Sequence, residues 1–140
     1  MSDIVTTQLA NTGVLTVRLN RPEVLNSLNR PIVERLIEVL TDADKNDDVR
    51  AIVLTGEGRG FCAGADLANG QWPSNEGWSG GDVTANAMET GYNPLVRALA
   101  FNAKPVVTAV NGVAAGGGVG IALAGDIVIA GESAKFKLVF

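Results

Sequence analysis

The sequence predicts an α/β fold, and three observations carry that prediction. Ala51–Thr55, Pro105–Val110 and Ile127–Ile129 are short apolar runs rich in β-branched residues, the pattern of strands buried on both faces. Ile32, Val33, Leu36, Ile37 and Leu40 recur at helical spacing, with Glu34, Arg35 and Glu38 between them. One pattern also occurs twice. Ala51–Gly56 leads to Ala63-Gly64-Ala65-Asp66, and Val106–Gly112 leads to Ala115-Gly116-Gly117-Gly118. Each is a buried strand, a turn, then a small-residue segment opening a helix.

The elements follow in order. Asn11-Thr12-Gly13 is a turn and Val14–Leu19 a strand, broken by Asn20-Arg21-Pro22. From Leu28 the period becomes helical. Asn29 can cap this helix and Pro31 suits its first turn. Asp42–Asp48 reads as an acidic, polar exit. After Ala51–Thr55 comes a loop, Gly56–Gly60, and then the tight segment Phe61–Leu67. Asn69–Gly81, rich in Gly, Ser, Asn and Trp, predicts a mobile surface loop. A helix is expected over Val83–Ala100, interrupted at Gly91 and Pro94. Pro105–Val110 is the second buried strand, Asn111-Gly112 a turn, and Ala114–Ala124 a closely packed helix of small residues. Ile127–Ile129 is a third buried strand, and Phe136–Phe140 starts a fourth.

Composition excludes several functions. A chain of 140 residues, 46% hydrophobic and 19% charged, is one small folded domain rather than a disordered segment. Eleven basic against fifteen acidic residues, with no basic tract, argue against a nucleic-acid partner. A single cysteine, Cys62, supports neither a disulfide framework nor a cysteine zinc site, and no metal is expected. The absence of histidine removes the Ser-His and Cys-His nucleophile pairs. Met1–Gln8 has no basic flank and no apolar run, so a signal peptide is not expected there. Pro105–Ala130 is too punctuated by Asn111, Asp126 and glycines for a membrane helix. A soluble, cytoplasmic protein is the expectation.

The glycine segments carry the chemistry. Backbone N–H groups at helix starts lack internal partners and can bind anionic oxygen. The phosphate motifs are absent: there is no G-x-x-x-x-G-K-[ST], and Gly118 and Gly120 are followed by Leu123 where G-x-G-x-x-G needs glycine. An oxyanion hole needs two N–H groups aimed at one carbonyl oxygen. Ala65 and Gly117 occupy equivalent places in the two repeats. A thioester carbonyl held there would be polarised toward an enolate. The competing reading is that these glycines only permit tight helix–strand packing.

Three segments resemble the crotonase superfamily, the enoyl-CoA hydratase/isomerase group. Asn20-Arg21-Pro22-Glu23-Val24-Leu25-Asn26-Ser27-Leu28 is similar to its N-R-P-x-x-x-N-[AS]-L. Gly60–Leu67 is similar to F-[CSA]-A-G-x-D-[LI], and Lys104–Gly118 to K-P-V-I-A-A-V-N-G-x-A-x-G-G-G. Asp126-Ile127 and Ala134-Lys135-Phe136 continue the alignment, so the resemblance covers nearly the whole chain. It implies a spiral of repeated β-β-α units, with residues 1–140 as the N-terminal part of a single such domain, ending before a C-terminal helical assembly region. It implies acyl-CoA thioester substrates, with coenzyme A entering as part of the substrate and no permanently bound cofactor. It makes Ala65 and Gly117 the oxyanion donors. It sets Glu23, Val24 and Leu25 along the CoA adenine and pantetheine, with Asp66 and Leu67 bordering the same tunnel. It implies a homotrimer or hexamer in the full-length form.

The departures bear on the reaction. Hydratases of this family use two glutamates, and the corresponding positions here are Gly120 and, without gaps, Phe140. The segment Phe136–Phe140 looks more like a ring-epoxide and double-bond isomerase subgroup, whose aspartate lies just beyond this strand. Isomerisation is therefore favoured. Hydratase, thioesterase, dehalogenase and non-catalytic binding remain as alternatives. Because family chains are roughly twice this length, residues 1–140 are expected to be a piece of a longer chain and not an autonomous catalyst. Asp66 is expected to cap a helix starting at the oxyanion loop rather than to act as an acid. Asp126 is expected to be a structural, hydrogen-bonded carboxylate. Glu89 reads as a solvated-face residue and Cys62 as a buried, inert thiol. Trp72 and Trp78 read equally as pocket walls or packing anchors.

Overall fold

The computed structural model describes residues 3–139. Strands β1 (Val5–Leu9), β2 (Val14–Leu19), β3 (Ala51–Gly56), β5 (Val106–Val110) and β7 (Ile127–Ala130) form one sheet, in the order β1-β2-β3-β5-β7. β4 (Gly60–Cys62), β6 (Val113–Ala115) and β8 (Lys135–Lys137) form a second sheet, in the order β4-β6-β8. Among the described residues, only the β1–β2 hairpin is antiparallel; every other pairing is parallel. Each consecutive pair β3–β4, β5–β6 and β7–β8 gives one strand to each sheet, so the chain advances as a spiral. The repeat seen in the sequence is real at this level. β3 pairs with β5 through Ile52 and Val106, and β4 pairs with β6 through Cys62 and Ala114.

Helix α1 (Arg30–Lys45) covers the larger sheet. Asn29 caps it, accepting from the Ile32 N–H at 3.2 Å, as the sequence predicts. Ile32, Val33, Leu36, Val39, Leu40 and Ala43 form its buried face, in one core with Val17, Leu19, Ile52 and Leu54. The expected polar exit at Asp42–Asp48 is corrected here. The helix continues to Lys45, because Ala43 still faces the core and the acidic residues fall on its outer side. β1 gave no sequence signal, since only Val5 of its residues is buried and no alternation marks it.

The expected helix over Val83–Ala100 is three pieces: α2 (Gly80–Ala87), a π-helical turn (Met88–Tyr92) and α3 (Asn93–Ala100). α2 starts earlier than predicted because Ser79 and Asp82 make a reciprocal capping box. The loop before it therefore ends at Ser79 rather than Gly81. The interruption falls at Gly91, as expected, and takes the form of an inserted residue rather than a break.

The expected helix over Ala114–Ala124 is also divided. Val113–Ala115 is a strand with partners on both sides, and α4 runs only over Gly117–Leu123. The third buried strand is corrected as well. β7 is an edge strand among the described residues, with Ile127 55% and Ile129 59% exposed. Its apolar pattern is that of a covered strand, but no described element packs over it. The fourth strand is limited to Lys135–Lys137, and Phe140 lies outside the described residues. Among the described residues, no helix is long and apolar enough to cross a membrane.

Candidate active site

The parallel pairing of β4 and β6 sets the geometry. Cys62 lies opposite Ala114. Beyond that pair, Gly64 lies against the Ala115–Gly117 segment, and Ala65 and Gly117 border one cavity. Gly64 has φ +87° and Gly116 has φ +52°, so the chain takes a positive φ just before each candidate donor. Only glycine adopts this conformation without strain. A Cβ on Gly64 would lie 2.7 Å from the Ala115 carbonyl oxygen and 3.2 Å from the Gly117 nitrogen, so the two loops are in direct contact.

The Ala65 N–H direction follows from its own peptide plane. The Gly64 carbonyl accepts from the Leu28 N–H at 2.7 Å, and the Asp66 N–H donates to the Leu28 carbonyl at 2.9 Å. In a trans peptide the C=O and N–H point opposite ways, so the Ala65 N–H faces away from Leu28. Gly117 is the first residue of α4, where an N–H has no intrahelical acceptor. Ala65 and Gly117 both line one cavity of about 380 Å³, with Met88, Tyr92, Leu95, Val96 and Ile121 as its apolar wall. A second cavity of about 410 Å³ shares Ala65 and Tyr92 and adds Asp66, Leu67 and Trp72. Gly120 also faces the first cavity, and no carboxylate is among that cavity's described lining residues.

The residues expected along coenzyme A fall on two segments, the turn Pro22–Val24 with Leu25 and the loop after Cys62. Glu23 and Val24 are exposed on the short 3₁₀ turn Pro22–Val24, followed by half-buried Leu25 with φ +52°. The Leu25 carbonyl accepts from the Ala63 N–H at 3.0 Å, which joins this turn to the Ala65 loop. Leu67 is 96% exposed on that loop. Arg21 makes the second tie: it donates to Asp66 Oδ2 at 2.9 Å and to the Ser27 carbonyl at 2.7 Å.

Asp66 does not cap a helix, because none begins there. Its Oδ1 accepts from the N–H groups of Ala68 (3.2 Å) and Asn69 (2.9 Å) in a local turn. The Asn69 N–H bond, with the Arg21 guanidinium beside it, holds this carboxyl below its ordinary value of 3.8. A depressed folded value means the stabilisation is present above the unfolded value and is lost as pH falls through the folded one. The Asp66→Asn variant should therefore show a flatter loss of melting temperature than the native protein as the solution is acidified below about pH 4. Identical acid limbs for the two proteins would remove Asp66 from the acid response.

Other single residues stand as follows. Asp126 accepts from the Val106 N–H at 2.8 Å, the structural bond expected. Cys62 is fully buried, and burial pushes its thiol up to about 12, so it is inert at neutral pH. Glu89 is exposed. Trp72 is both a wall and an anchor: it lines the second cavity, packs on Tyr92 at 5.2 Å and occupies the space a side chain at Gly91 would need. Trp78 is half-buried in the same loop.

Sequence reasoning missed Asn26 and Tyr92. Asn26 is fully buried, with its oxygen on the Arg21 N–H and its amide on the Glu57 and Gly60 carbonyls. Its place in the first motif was the available signal. Tyr92 lies between Gly91 and Pro94, the two helix breakers, which was its only mark. Among the described residues, no cluster of three His, Cys, Asp or Glu could hold a metal.

The family model for Enoyl-CoA hydratase/isomerase matches residues 9–140. The chain belongs to that family. Among its relatives, 1,2-epoxyphenylacetyl-CoA isomerase of Escherichia coli is 49% identical over 134 residues, covering 91% of this chain and 48% of that protein. The crystal structure of an enoyl-CoA hydratase from Bacillus anthracis superposes with a TM-score of 0.83 at 32% identity, covering 96% of this chain and 50% of that one. A monofunctional enoyl CoA isomerase from M. smegmatis superposes with a TM-score of 0.76 at 34% identity, covering 96% and 53%. The chain thus spans about half the length of these enoyl-CoA hydratase/isomerase relatives. Both reaction types occur among them.

Proposed function

We propose that this chain supplies the carbonyl-polarising part of an acyl-CoA enzyme that works through a thioester enolate, and that the reaction is double-bond migration. The observation that carries the proposal is that Ala65 and Gly117, each following a glycine of positive φ, border one apolar cavity. A base removes a proton from C2 of a 3-enoyl thioester, and the electron pair moves onto the carbonyl oxygen. The two N–H groups stabilise the oxyanion. The proton returns at C4 and the double bond becomes C2=C3. Coenzyme A enters with the substrate, along Glu23, Val24, Leu25, Asp66 and Leu67, and leaves with the product. Assembly as a homotrimer or hexamer belongs to the same proposal.

Two facts favour isomerisation over hydration. Gly120 brings no proton-carrying side chain to the cavity it lines. The E. coli relative at 49% identity is an isomerase. The decisive assay offers the intact polypeptide cis-3-hexenoyl-CoA and, separately, crotonyl-CoA in water. Isomerisation appears as growth of conjugated-enoyl absorbance and is expected to be the faster reaction. Faster hydration of crotonyl-CoA would reverse the assignment and keep the enolate. A ring-epoxide acyl-CoA is the second substrate to offer, given the name of that relative.

A further inference from the structure

We propose that Tyr92 is a positioning residue that aims the Ala65 N–H, acting through the backbone of Leu28. The inference rests on the oxyanion reading of Ala65 and extends it to a side chain.

The chain of contacts is short. Leu28 is fully buried, and its N–H fixes the Gly64–Ala65 peptide plane by donating to the Gly64 carbonyl at 2.7 Å. Its carbonyl has two lone pairs and uses both. One accepts the Asp66 N–H at 2.9 Å, and the other accepts the Tyr92 hydroxyl at 3.2 Å. Leu28 is thus held on one side by the loop it aligns and on the other by Tyr92. The carbonyl next to it begins α1: Asn29 is the cap residue. Without the phenol bond, the Leu28 peptide can tilt with the helix start, and the Ala65 N–H tilts with it.

The placement of Tyr92 has its own structural cause. It ends the π-helical turn Met88–Tyr92, and the inserted residue rotates the phenol toward Leu28. The Trp72 ring lies 5.2 Å from the Tyr92 ring, tilted by 48°, and fills the space beside Gly91; the Tyr92 hydroxyl, also within reach of the Trp72 side chain, donates to the Leu28 carbonyl. The ring itself lines both cavities beside Ala65, so the side chain touches the pocket with its carbon edge and the backbone with its oxygen. Replacing Tyr92 with Phe separates these roles, because it keeps the ring and deletes only the oxygen.

The test uses the intact polypeptide and hexanoyl-CoA carrying ¹³C at the thioester carbonyl, read by infrared difference spectroscopy. In the native protein the bound carbonyl band is expected at lower frequency than in free hexanoyl-CoA. In Tyr92→Phe the band should move part of the way back. Isomerisation of cis-3-hexenoyl-CoA should lose about three- to tenfold in kcat, the worth of one hydrogen bond, with KM within about twofold. A variant that melts near the native temperature, loses kcat and keeps the full band shift would overturn the positioning role. So would a variant whose only change is a higher KM. A native protein that leaves the band at its free frequency would instead overturn the oxyanion reading beneath it.

Discussion

Replacing Gly117 with proline should lower kcat for cis-3-hexenoyl-CoA by about 10²–10³-fold, the usual consequence of deleting one oxyanion donor. The substitution is chosen because it removes an N–H with little harm to the helix. Gly117 is the first residue of α4, where proline is tolerated because that N–H has no intrahelical partner. A Cβ at this position meets nothing within 4 Å. Melting temperature should change little, whereas hexanoyl-CoA affinity should fall along with kcat, because the proline Cδ takes the direction of the lost N–H and crowds the carbonyl oxygen. A variant that folds normally and retains more than about a tenth of the native kcat would show that the carbonyl is polarised by something else.

The Asn26→Asp variant changes one side-chain group and should be the most destabilising conservative substitution in the site. Asn26 is fully buried and has φ +56°, a conformation asparagine and aspartate both tolerate. Its amide donates to Glu57 O at 3.0 Å and Gly60 O at 2.9 Å, while its oxygen accepts from the Arg21 N–H at 2.8 Å. An ionised aspartate can make neither donation, and a protonated one can make only one. The expected cost is on the order of 2–4 kcal/mol, seen as a lower urea midpoint at unchanged slope. Two backbone carbonyls would face the new carboxyl, so its folded pKa should lie above the unfolded one. The penalty therefore grows as pH rises above about 4. A penalty independent of pH and below about 0.5 kcal/mol would mean that the loop is held by Asn111 alone. Asn111 donates to Gly58 O at 3.0 Å from the other side of the same loop.

The sequence disclosed elements whose pattern reports local physics. α1 was legible because its apolar period, cap and first-turn proline all agree. β3 and β5 were legible as short β-branched runs, and the repeat set Ala65 and Gly117, which border one cavity, at equivalent places. What escaped depended on partners distant in the chain. Val113–Ala115 has helix-compatible side chains and becomes a strand only because β4 and β8 flank it. Asp66 looked like a helix cap because aspartate before a small-residue segment usually is one. Its actual bonds, to Arg21 and to the next turn, need the first two motifs to meet in space. The apolar composition of β7 spoke of a covered strand, a property of its surroundings that its own residues could suggest but not supply. Tyr92 was invisible because a π-turn has no residue signature beyond the breakers around it.

The candidate donors at Ala65 and Gly117 are main-chain groups, and this has an evolutionary consequence. Almost any codon change at those two positions leaves the N–H in place; only one to proline deletes it. Point mutation therefore acts on such a centre indirectly, through the turns that aim it, the positive-φ conformations at Gly64 and Gly116 above all. Under this arrangement the polarising device is inherited as a shape, while the proton-carrying side chains are free to be gained, lost or moved. A lineage built this way can exchange one reaction for another without ever passing through an ancestor that had lost its grip on the carbonyl.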